Sequence, residues 1–272
     1  MEGILGRIRG VSIYGFMIAF LLFLGIASNL YMNFFLSENP SLLAEVFARL
    51  FFVPVFAALL DVAIKHFLLK RPFALPKTAL ISGLFVAGIL DPSAPLYAPF
   101  AAAAIAIISK HIIRGKGRNI FNPAAFGITL SIIVFTYAFG VKVFAAWWIS
   151  STFLAIPLGL FISYKMEKLP LTLSFFATYC AALLLLFGAS ISSFTQPIFA
   201  SIFLFFASFM LLEPRTSPYT FRGMVLSGVC AGILCAVLPL AALPLDFTLV
   251  SLLAMNIFKG VLDRSLPDKP TA

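Results

Sequence analysis

Residues 11–36 read VSIYGFMIAFLLFLGIASNLYMNFFL and contain no charged side chain. About 20 apolar residues are enough to cross the hydrocarbon core of a bilayer as an α-helix. The segment is too long for the apolar core of a cleavable signal peptide, and no small-residue cleavage site follows it. We therefore interpret residues 11–36 as the first membrane span of the chain.

The composition extends this prediction to the whole chain of 272 residues. Its residues are 62% hydrophobic and 11% charged, and the mean hydropathy is +1.08, whereas soluble domains carry about 25% charge. The apolar segments do not alternate with polar residues, which excludes the strands of a transmembrane barrel. The sequence predicts an all-α, multi-pass protein in membrane lipid, and its scattered basic residues argue against a nucleic-acid partner.

Charges and prolines divide the chain into ten apolar segments, which we predict as ten transmembrane helices. The predicted ranges are 11–36, 44–66, 78–90, 96–112, 122–140, 143–163, 171–190, 197–212, 221–238 and 246–262. Of the 19 basic residues, all but Arg49 and Lys142 then fall on one side, which makes seventeen. By the positive-inside rule that side is the cytoplasm, so both termini are predicted to be cytoplasmic in the plasma membrane.

An acid–proline turn occurs twice, at Asp91-Pro92 and at Glu213-Pro214, 122 residues apart. Five predicted spans separate the two copies, so the second half of the chain is predicted to be inverted relative to the first. We therefore predict a single transmembrane domain over 1–272, with repeat one at 11–140 and repeat two at 143–263. Short, proline-bounded helices in matching positions of two repeats indicate a central site.

The two acids have two interpretations. An ionisable group within the membrane region is costly and usually functional, which favours an ion or proton pathway. Alternatively, each acid caps the next helix, with the following proline as its first residue. In a pathway, the inverted halves should bring both acids together, and the nearest basic residue in sequence to the second acid is Arg215. The predicted pathway residues are Asp91, Glu213, Arg215 and Thr216.

The loop between the fourth and fifth spans reads RGKGRNIFNPAAFG over residues 114–127. Asn122 and Pro123 predict a helix start there. Its free amides, the glycines and the cations suit an anion or a polar ring system, such as a phosphate, a flavin or a quinone headgroup. An ordinary cytoplasmic loop with a helix cap is the alternative. The predicted binding residues are Arg114, Gly115, Gly117, Arg118, Asn119, Phe121, Asn122 and Pro123.

Motifs of a self-contained enzyme are missing from the sequence. There is no C-x-x-C pair and no phosphate-binding G-x-x-x-x-G-K stretch. The cysteines Cys180, Cys230 and Cys235 fall inside apolar spans. We therefore predict no catalytic residue and no metal site, and any redox chemistry must come from a bound cofactor.

Residues 115–124, GKGRNIFNPA, resemble the G-G-x-G-x-N-x-F-N-P-A loop of the NqrB/RnfD family. These proteins are membrane subunits of the sodium-pumping NADH:quinone reductase and of the Rnf electron-transport complex. Asp91-Pro92 and residues 213–216 are similar to further elements of that family, and the resemblance covers essentially the whole chain. It implies a non-autonomous subunit that works with other subunits and couples flavin-mediated electron transfer to Na⁺ or H⁺ translocation.

Two departures from the family pattern qualify this resemblance. Family members usually attach FMN to the Thr of an S-G-A-T motif after span five, but that loop is here only residues 140–142. Ser82-Gly83 and Ser227-Gly228 lack the following Thr, and Glu213 stands where the family usually has Asp. We therefore expect no covalent FMN, and instead a non-covalent flavin, riboflavin or FMN, at the glycine-rich loop. A passive channel or secondary carrier for a small polar solute is the alternative function.

Overall fold

The computed structural model describes residues 12–35, 40–115, 118–188, 202–241 and 245–266. Within these ranges the chain is almost entirely helical. The sheet found there is a two-stranded hairpin between two helices of the first half.

The first half of the chain is built from helices and this hairpin. The helices are α1 Ile13–Phe35, α2 Pro40–Ala63, α3 Lys77–Ile89, α4 Tyr97–Ile112 and α5 Pro123–Ile132. The hairpin strands are β1 Arg114–Gly115 and β2 Arg118–Asn119. Helices α2 and α5 continue directly into π-helical turns over Ile64–Leu68 and Ile133–Ala138.

The described part of the second half contains four longer helices and several short turns. The helices are α6 Ala155–Lys165, α7 Leu169–Phe187, α8 Phe221–Val237 and α9 Phe247–Ser265. Residues 202–205 are helical and continue into a π-helical turn over Phe206–Met210. The predicted span at 197–212 therefore begins outside the described residues, and its described part is helical up to Met210.

Four helical segments among the described residues are long and apolar enough to cross a membrane. They are Ile13–Met32, Ala44–Leu68, Leu169–Leu186 and Phe221–Ala241. Shorter apolar helices cover Lys77–Ile89, Tyr97–Ile112, Pro123–Ala138 and Ala155–Lys165. The protein is a polytopic all-α membrane protein, which confirms the fold class predicted from the composition.

The predicted span at 143–163 is not one continuous helix. Its helix begins only at Ala155, and an extended segment before it runs past the end of α3. There the Ala146 N–H donates to the Ile89 carbonyl at 2.7 Å. The last carbonyls of a helix have no partner within the helix, so this segment satisfies one of them. An apolar segment that bonds to the end of another helix is as hydrophobic as a membrane span but is not itself a continuous helix.

Helices α7 and α8 pack closely because α8 carries Gly228 and Gly232, one turn apart. A Cβ atom on Gly228 would lie 2.5 Å from the carbonyl oxygen of Leu171, and one on Gly232 would lie 2.9 Å from that of Phe175. Small residues four positions apart let membrane helices bring their backbones together. A side chain at either glycine would push α8 away from α7.

Candidate functional site

The predicted binding loop is the β-hairpin between α4 and α5. Arg114 pairs with Asn119, and Gly115 pairs with Arg118, in antiparallel register. The predicted binding residue Gly117 lies outside the described residues. Among the paired residues the Asn119 side chain is buried, at 5% exposure, whereas the other three are exposed. The hairpin therefore offers two cations to a ligand and one buried amide behind them.

Asn122 caps α5, and Pro123 is the first helical residue, as the sequence predicted. The Asn122 side-chain oxygen accepts a hydrogen bond from the Ala125 N–H at 3.1 Å, and its side-chain nitrogen donates to the Met210 carbonyl at 3.3 Å. The Asn122 backbone N–H donates to Oδ1 of Asn256, on α9, at 2.7 Å. Asn122 therefore ties the start of α5 to two elements of the second half of the chain.

Asn122→Ala is expected to lower the free energy of unfolding by about 2 kcal/mol. About 1 kcal/mol comes from the lost helix cap and about 1 kcal/mol from the lost hydrogen bond to the Met210 carbonyl. Asn122→Ser should lose less, because its neutral hydroxyl can still cap α5. Thermal unfolding of the purified protein in detergent measures both variants, and an alanine variant as stable as the wild type would contradict this role.

A cavity of about 660 Å³ lies between the hairpin, the Glu213 turn and the C-terminal half of α9. Its lining includes Gly115, Arg118 and Asn119 of the predicted binding loop, together with Lys259 from α9. Binding sites for small organic ligands typically measure about 300–1,000 Å³. The size and the lining therefore fit a cofactor-sized molecule.

Positive charge dominates this cavity. Arg118, Arg215, Lys259 and Arg264 line it, and Asp263 is the acid among its described lining residues. The Lys259 Nζ donates to Asp263 at 2.6 Å. Because Asp263 neutralises only one of the four cations, the cavity favours an anionic or electron-rich ligand.

The Asn119 side chain offers an unused hydrogen-bonding atom at this cavity. Its Oδ1 atom is buried and has no partner within the described part of the chain. A buried acceptor without a donor costs about 1–3 kcal/mol, and a ring N–H such as the imide of a flavin would satisfy it. The cavity volume, this acceptor and the cations therefore fit a flavin.

Several predicted binding residues do not line this cavity. Arg114 lines a neighbouring cavity, and Phe121 stacks on Phe126 with ring centroids 5.6 Å apart. Pro123 is buried in the first turn of α5. The polar groups of Asn122 are already used within the protein. Phe121 and Asn122 lie outside the lining of this cavity, because their side chains take part in packing and in the helix cap. That they hold the ligand stays a prediction.

The second acid–proline turn holds Glu213 through its own backbone. The Glu213 carbonyl accepts hydrogen bonds from the N–H groups of Thr216 and Ser217 at 3.1 and 2.9 Å. The Thr216 hydroxyl donates to Glu213 Oε2 at 3.3 Å. Helix α8 begins only at Phe221 and is capped by Thr220. The interpretation of Glu213 as the cap of the next helix is therefore wrong.

The Glu213 side chain lines a small cavity of about 30 Å³ with Thr78, Ser82 and Asn122. That volume holds about one water molecule. Glu213 lies in a turn outside the membrane-spanning helices. Burial raises the pKa of its carboxyl from 4.5 to about 7, against the hydrogen bond from Thr216, which lowers it. The carboxyl can therefore gain or lose a proton near neutral pH.

Asp91 closes a local turn and caps no helix. The Ser93 N–H donates to Asp91 Oδ1 at 3.0 Å, and the Ser93 hydroxyl donates to Oδ2, which is the hydrogen bonding of an Asx turn. The Asp91 backbone N–H donates to the Phe144 carbonyl at 3.0 Å. Helix α4 begins only at Tyr97, so the cap interpretation is wrong for this acid too.

Asp91 and Glu213 lie at opposite ends of α3 and do not share a site. Glu213 lines its cavity with Thr78, in the first turn of α3, whereas Asp91 comes just after Ile89, the last residue of α3. The helix between these positions measures about 16 Å at 1.5 Å per residue. This corrects the expected shared site. A two-fold axis in the membrane plane relates a position near one face of the membrane to a position near the other face. Two equivalent helix breaks that do not lie at the midplane are therefore far apart.

The expected pairing of Arg215 with Glu213 is not found. Among the ion pairs of the described residues, none joins these two side chains. Arg215 is exposed, and it lines both the cavity of about 660 Å³ and the neighbouring cavity that Arg114 lines. Thr216 is buried, and its carbonyl accepts a hydrogen bond from Asn256 Nδ2 at 3.3 Å. The turn is therefore anchored to α9, while its arginine is directed to the cavities.

A buried ion network lies at the end of α2. The fully buried Asp61 carboxylate contacts Lys65 Nζ at 2.6 Å, Lys110 Nζ at 3.1 Å and His111 Nε2 at 2.8 Å. Lys110 also donates to the Thr78 hydroxyl at 2.8 Å. The i,i+4 spacing indicates the first contact, but the contributions from α4 depend on its packing against α2.

Lys168 is a second buried cation that the sequence did not single out. It donates to the Ser217 hydroxyl and to the Pro218 carbonyl, the latter at 3.2 Å. Lys168 lies in the loop between α6 and α7, outside the membrane-spanning helices. Burial, together with the charge of Lys259, lowers the pKa of its ammonium group from 10.5 to about 8, against Asp263 and Glu213, which raise it. Lys168 therefore fastens the Glu213 turn to this loop.

Comparison with known proteins gives one family and two relatives. The model of the NQR2, RnfD, RnfE family matches residues 8–150 and 134–271. A stretch of 55 residues is 47% identical to a subunit of the ion-translocating oxidoreductase complex of Rhodobacter capsulatus, which is 20% of this chain and 15% of that protein. Over 95 residues the chain is 36% identical to the protein of the same name from Actinobacillus pleuropneumoniae serotype 5b (strain L20), which is 33% of this chain and 27% of that protein. The matched stretches are thus a minor part of both relatives' length.

Proposed function

Because this chain belongs to the NQR2, RnfD, RnfE family, we propose that it is a membrane subunit of an ion-translocating oxidoreductase complex. Both relatives are named as a subunit of such a complex. A subunit of this kind works only with other subunits, and the chain itself offers no self-contained catalytic motif. Its partners would therefore supply and receive the electrons.

The observation that carries the redox role is the cationic cavity of about 660 Å³ beside the hairpin. A flavin bound there would supply one- and two-electron transfer. Asn119 would accept a hydrogen bond from the ring, and Arg118 and Arg215 would stabilise negative charge on the ring or on a phosphate. The residues of this chain would thus bind and orient the cofactor, as either riboflavin or FMN.

The proposed topology has ten spans in two inverted repeats, at 11–140 and 143–263, with both termini in the cytoplasm. The excess of basic residues on one side supports the orientation. Two helix caps support the repeat: Asn122 caps α5 and Asp246 caps α9, 124 residues apart. The acid–proline turns are separated by 122 residues. Two independent local features therefore recur at nearly the same spacing.

The two acids mark the proposed ion pathway, with Na⁺ or H⁺ as the ion. Glu213, with a pKa near neutrality, lies at the start of α3, and the buried Asp91 lies at its end. Because the acids are separated by the length of α3, an ion would pass them in succession. Arg215 and Thr216 set the charge and the hydrogen bonding of the Glu213 turn.

Purified protein is expected to contain a flavin that denaturation releases. Asn119→Leu and Arg118→Ala should each lower flavin occupancy by about tenfold, because each removes a buried or charge-assisted hydrogen bond. Arg222→Ala is the matched control, since Arg222 is exposed on α8 and lines neither cavity. Flavin released by acid, measured by fluorescence per mole of protein, gives the occupancy.

Two results would contradict this assignment. A fluorescent band that survives SDS electrophoresis would show covalent flavin attached to another Ser or Thr. Protein without flavin that passes a small polar solute in liposomes would favour the channel or carrier.

A further inference from the structure

A second cavity, of about 350 Å³, adjoins the flavin-fitting cavity and shares Asn119 and Arg215 with it. It lies between the end of α2, the segment before α3, the end of α4 and the hairpin. Its basic lining residues are Lys65, Arg71, Lys110, His111, Arg114 and Arg215. The proposed electron-transfer role uses none of the first four.

Cations outnumber acids around this cavity. Lys65, Arg71, Lys110 and Arg215 line it, whereas Asp61 is the buried acid that contacts its lysines. The next acid is Glu213, whose carboxyl interacts with Lys110 and Arg215 from the neighbouring small cavity. Two carboxylates do not neutralise these four cations. The cavity therefore attracts an anion.

Neutral hydrogen-bonding groups complete the lining. The Thr78 hydroxyl accepts a hydrogen bond from Lys110 Nζ at 2.8 Å, so its own proton remains able to donate. The Asn119 side chain is 5% exposed, and its Oδ1 has no partner among the described residues. Its carboxamide has an acceptor end and a donor end, so one amide can serve the ligands of both cavities.

Apolar side chains flank the cations along the chain. These residues are at least 64% exposed: Phe67, Leu68, Phe73, Leu75 and Ile112. They follow or precede Lys65, Arg71 and His111 within a few positions. Cations beside exposed apolar side chains are typical of the boundary between lipid headgroups and acyl chains.

We propose that this cavity binds a phosphate group. The guanidinium group of Arg71 can bind two phosphate oxygens at once, and Lys65 and Lys110 act as point charges. The flanking apolar residues favour the headgroup of an anionic phospholipid as the source of the phosphate, over a soluble phosphate. The proposal stands whether or not the chain carries electrons, because it rests on this cavity alone.

The test compares the full chain with Arg71→Gln in nanodiscs that contain phosphatidylglycerol and phosphatidylcholine. Native mass spectrometry of the released protein counts the retained lipids. The wild type is expected to retain phosphatidylglycerol preferentially, and Arg71→Gln should lower that retention about tenfold. Arg222→Gln, the same change at an exposed arginine outside the cavity, should behave as the wild type.

A second arm separates the two sources of phosphate. Protein in neutral detergent is titrated with inorganic phosphate, and ³¹P line broadening reports binding. Saturable broadening that Arg71→Gln removes would assign the site to a soluble phosphate and still support the proposal. Wild type and Arg71→Gln that behave alike in both arms would overturn it. Arg71 is exposed, so the Arg71→Gln variant should fold. Arg71→Lys should bind phosphate with intermediate affinity, because lysine keeps the charge but cannot bind two phosphate oxygens at once.

Discussion

Replacing Asp61 with asparagine is expected to lower the free energy of unfolding by about 3–5 kcal/mol, the cost of breaking a buried ion pair. Asp61 is fully buried and contacts Lys65, Lys110 and His111. The asparagine would leave Lys110, itself buried, without an opposite charge in contact. We expect little folded protein to remain after extraction in detergent, as measured by monodisperse yield and by melting temperature.

The double variant Asp61→Asn with Lys110→Met separates charge from packing. It removes both charges and is expected to recover much of the lost stability, because a buried pair replaced by neutral side chains is often neutral in energy. Glu167→Gln changes an exposed acid and should shift stability by less than about 0.5 kcal/mol. An Asp61→Asn variant as stable as this control would show that the ion network does not stabilise the protein.

Local sequence signals predicted the helices well. Helices α3, Lys77–Ile89, and α4, Tyr97–Ile112, begin and end within one residue of the predicted spans 78–90 and 96–112. Hydropathy reports only that a segment is apolar, however. The segment before Ala155 is apolar because it packs inside the protein and bonds to the end of α3, so it was mistaken for part of a span.

The candidate site was predictable only where its chemistry is local. The Asn122 cap and the glycine-rich, cationic loop depend on neighbouring residues, and the sequence indicated both. Arg118 lines one cavity with Lys259 and Asp263 of α9 only because of the tertiary fold. The i,i+4 spacing of Lys259 and Asp263 alone indicates an ordinary surface pair. For the same reason, the i,i+4 spacing of Asp61 revealed its first partner and not those on α4.

The repeated acid–proline turns are a case in which the sequence pattern did not predict the distance between the residues. Their spacing indicated two related halves, and the expectation of a common site followed from symmetry. Two turns related by an axis in the membrane plane need not be in contact, because that axis exchanges the two membrane faces of the protein. The two acids therefore have different surroundings, an Asx turn for Asp91 and a small polar cavity for Glu213, and they need not perform the same task.

Glu213→Gln is expected to abolish ion coupling and to alter the pH dependence of stability. Burial raises the pKa of this carboxyl from 4.5 to about 7, so the folded protein favours the protonated form. The stability gained in this way is complete below about pH 4.5 and is lost as the pH rises through about 7. Glutamine stays neutral and can still accept the hydrogen bond from Thr216. The variant should therefore melt a few degrees above the wild type at pH 8 and at nearly the same temperature at pH 4.

Its transport should fail for the same reason, because an amide neither releases a proton nor holds a cation by charge. In proteoliposomes that contain the whole complex, electron transfer should continue while ion uptake driven by it disappears. Glu167→Gln, an exposed acid between α6 and α7, is the matched control and should keep both activities. Ion uptake at the wild-type rate in Glu213→Gln would remove Glu213 from the pathway. Melting temperatures of the variant and the wild type that change in parallel with pH would show that the carboxyl does not titrate near neutrality.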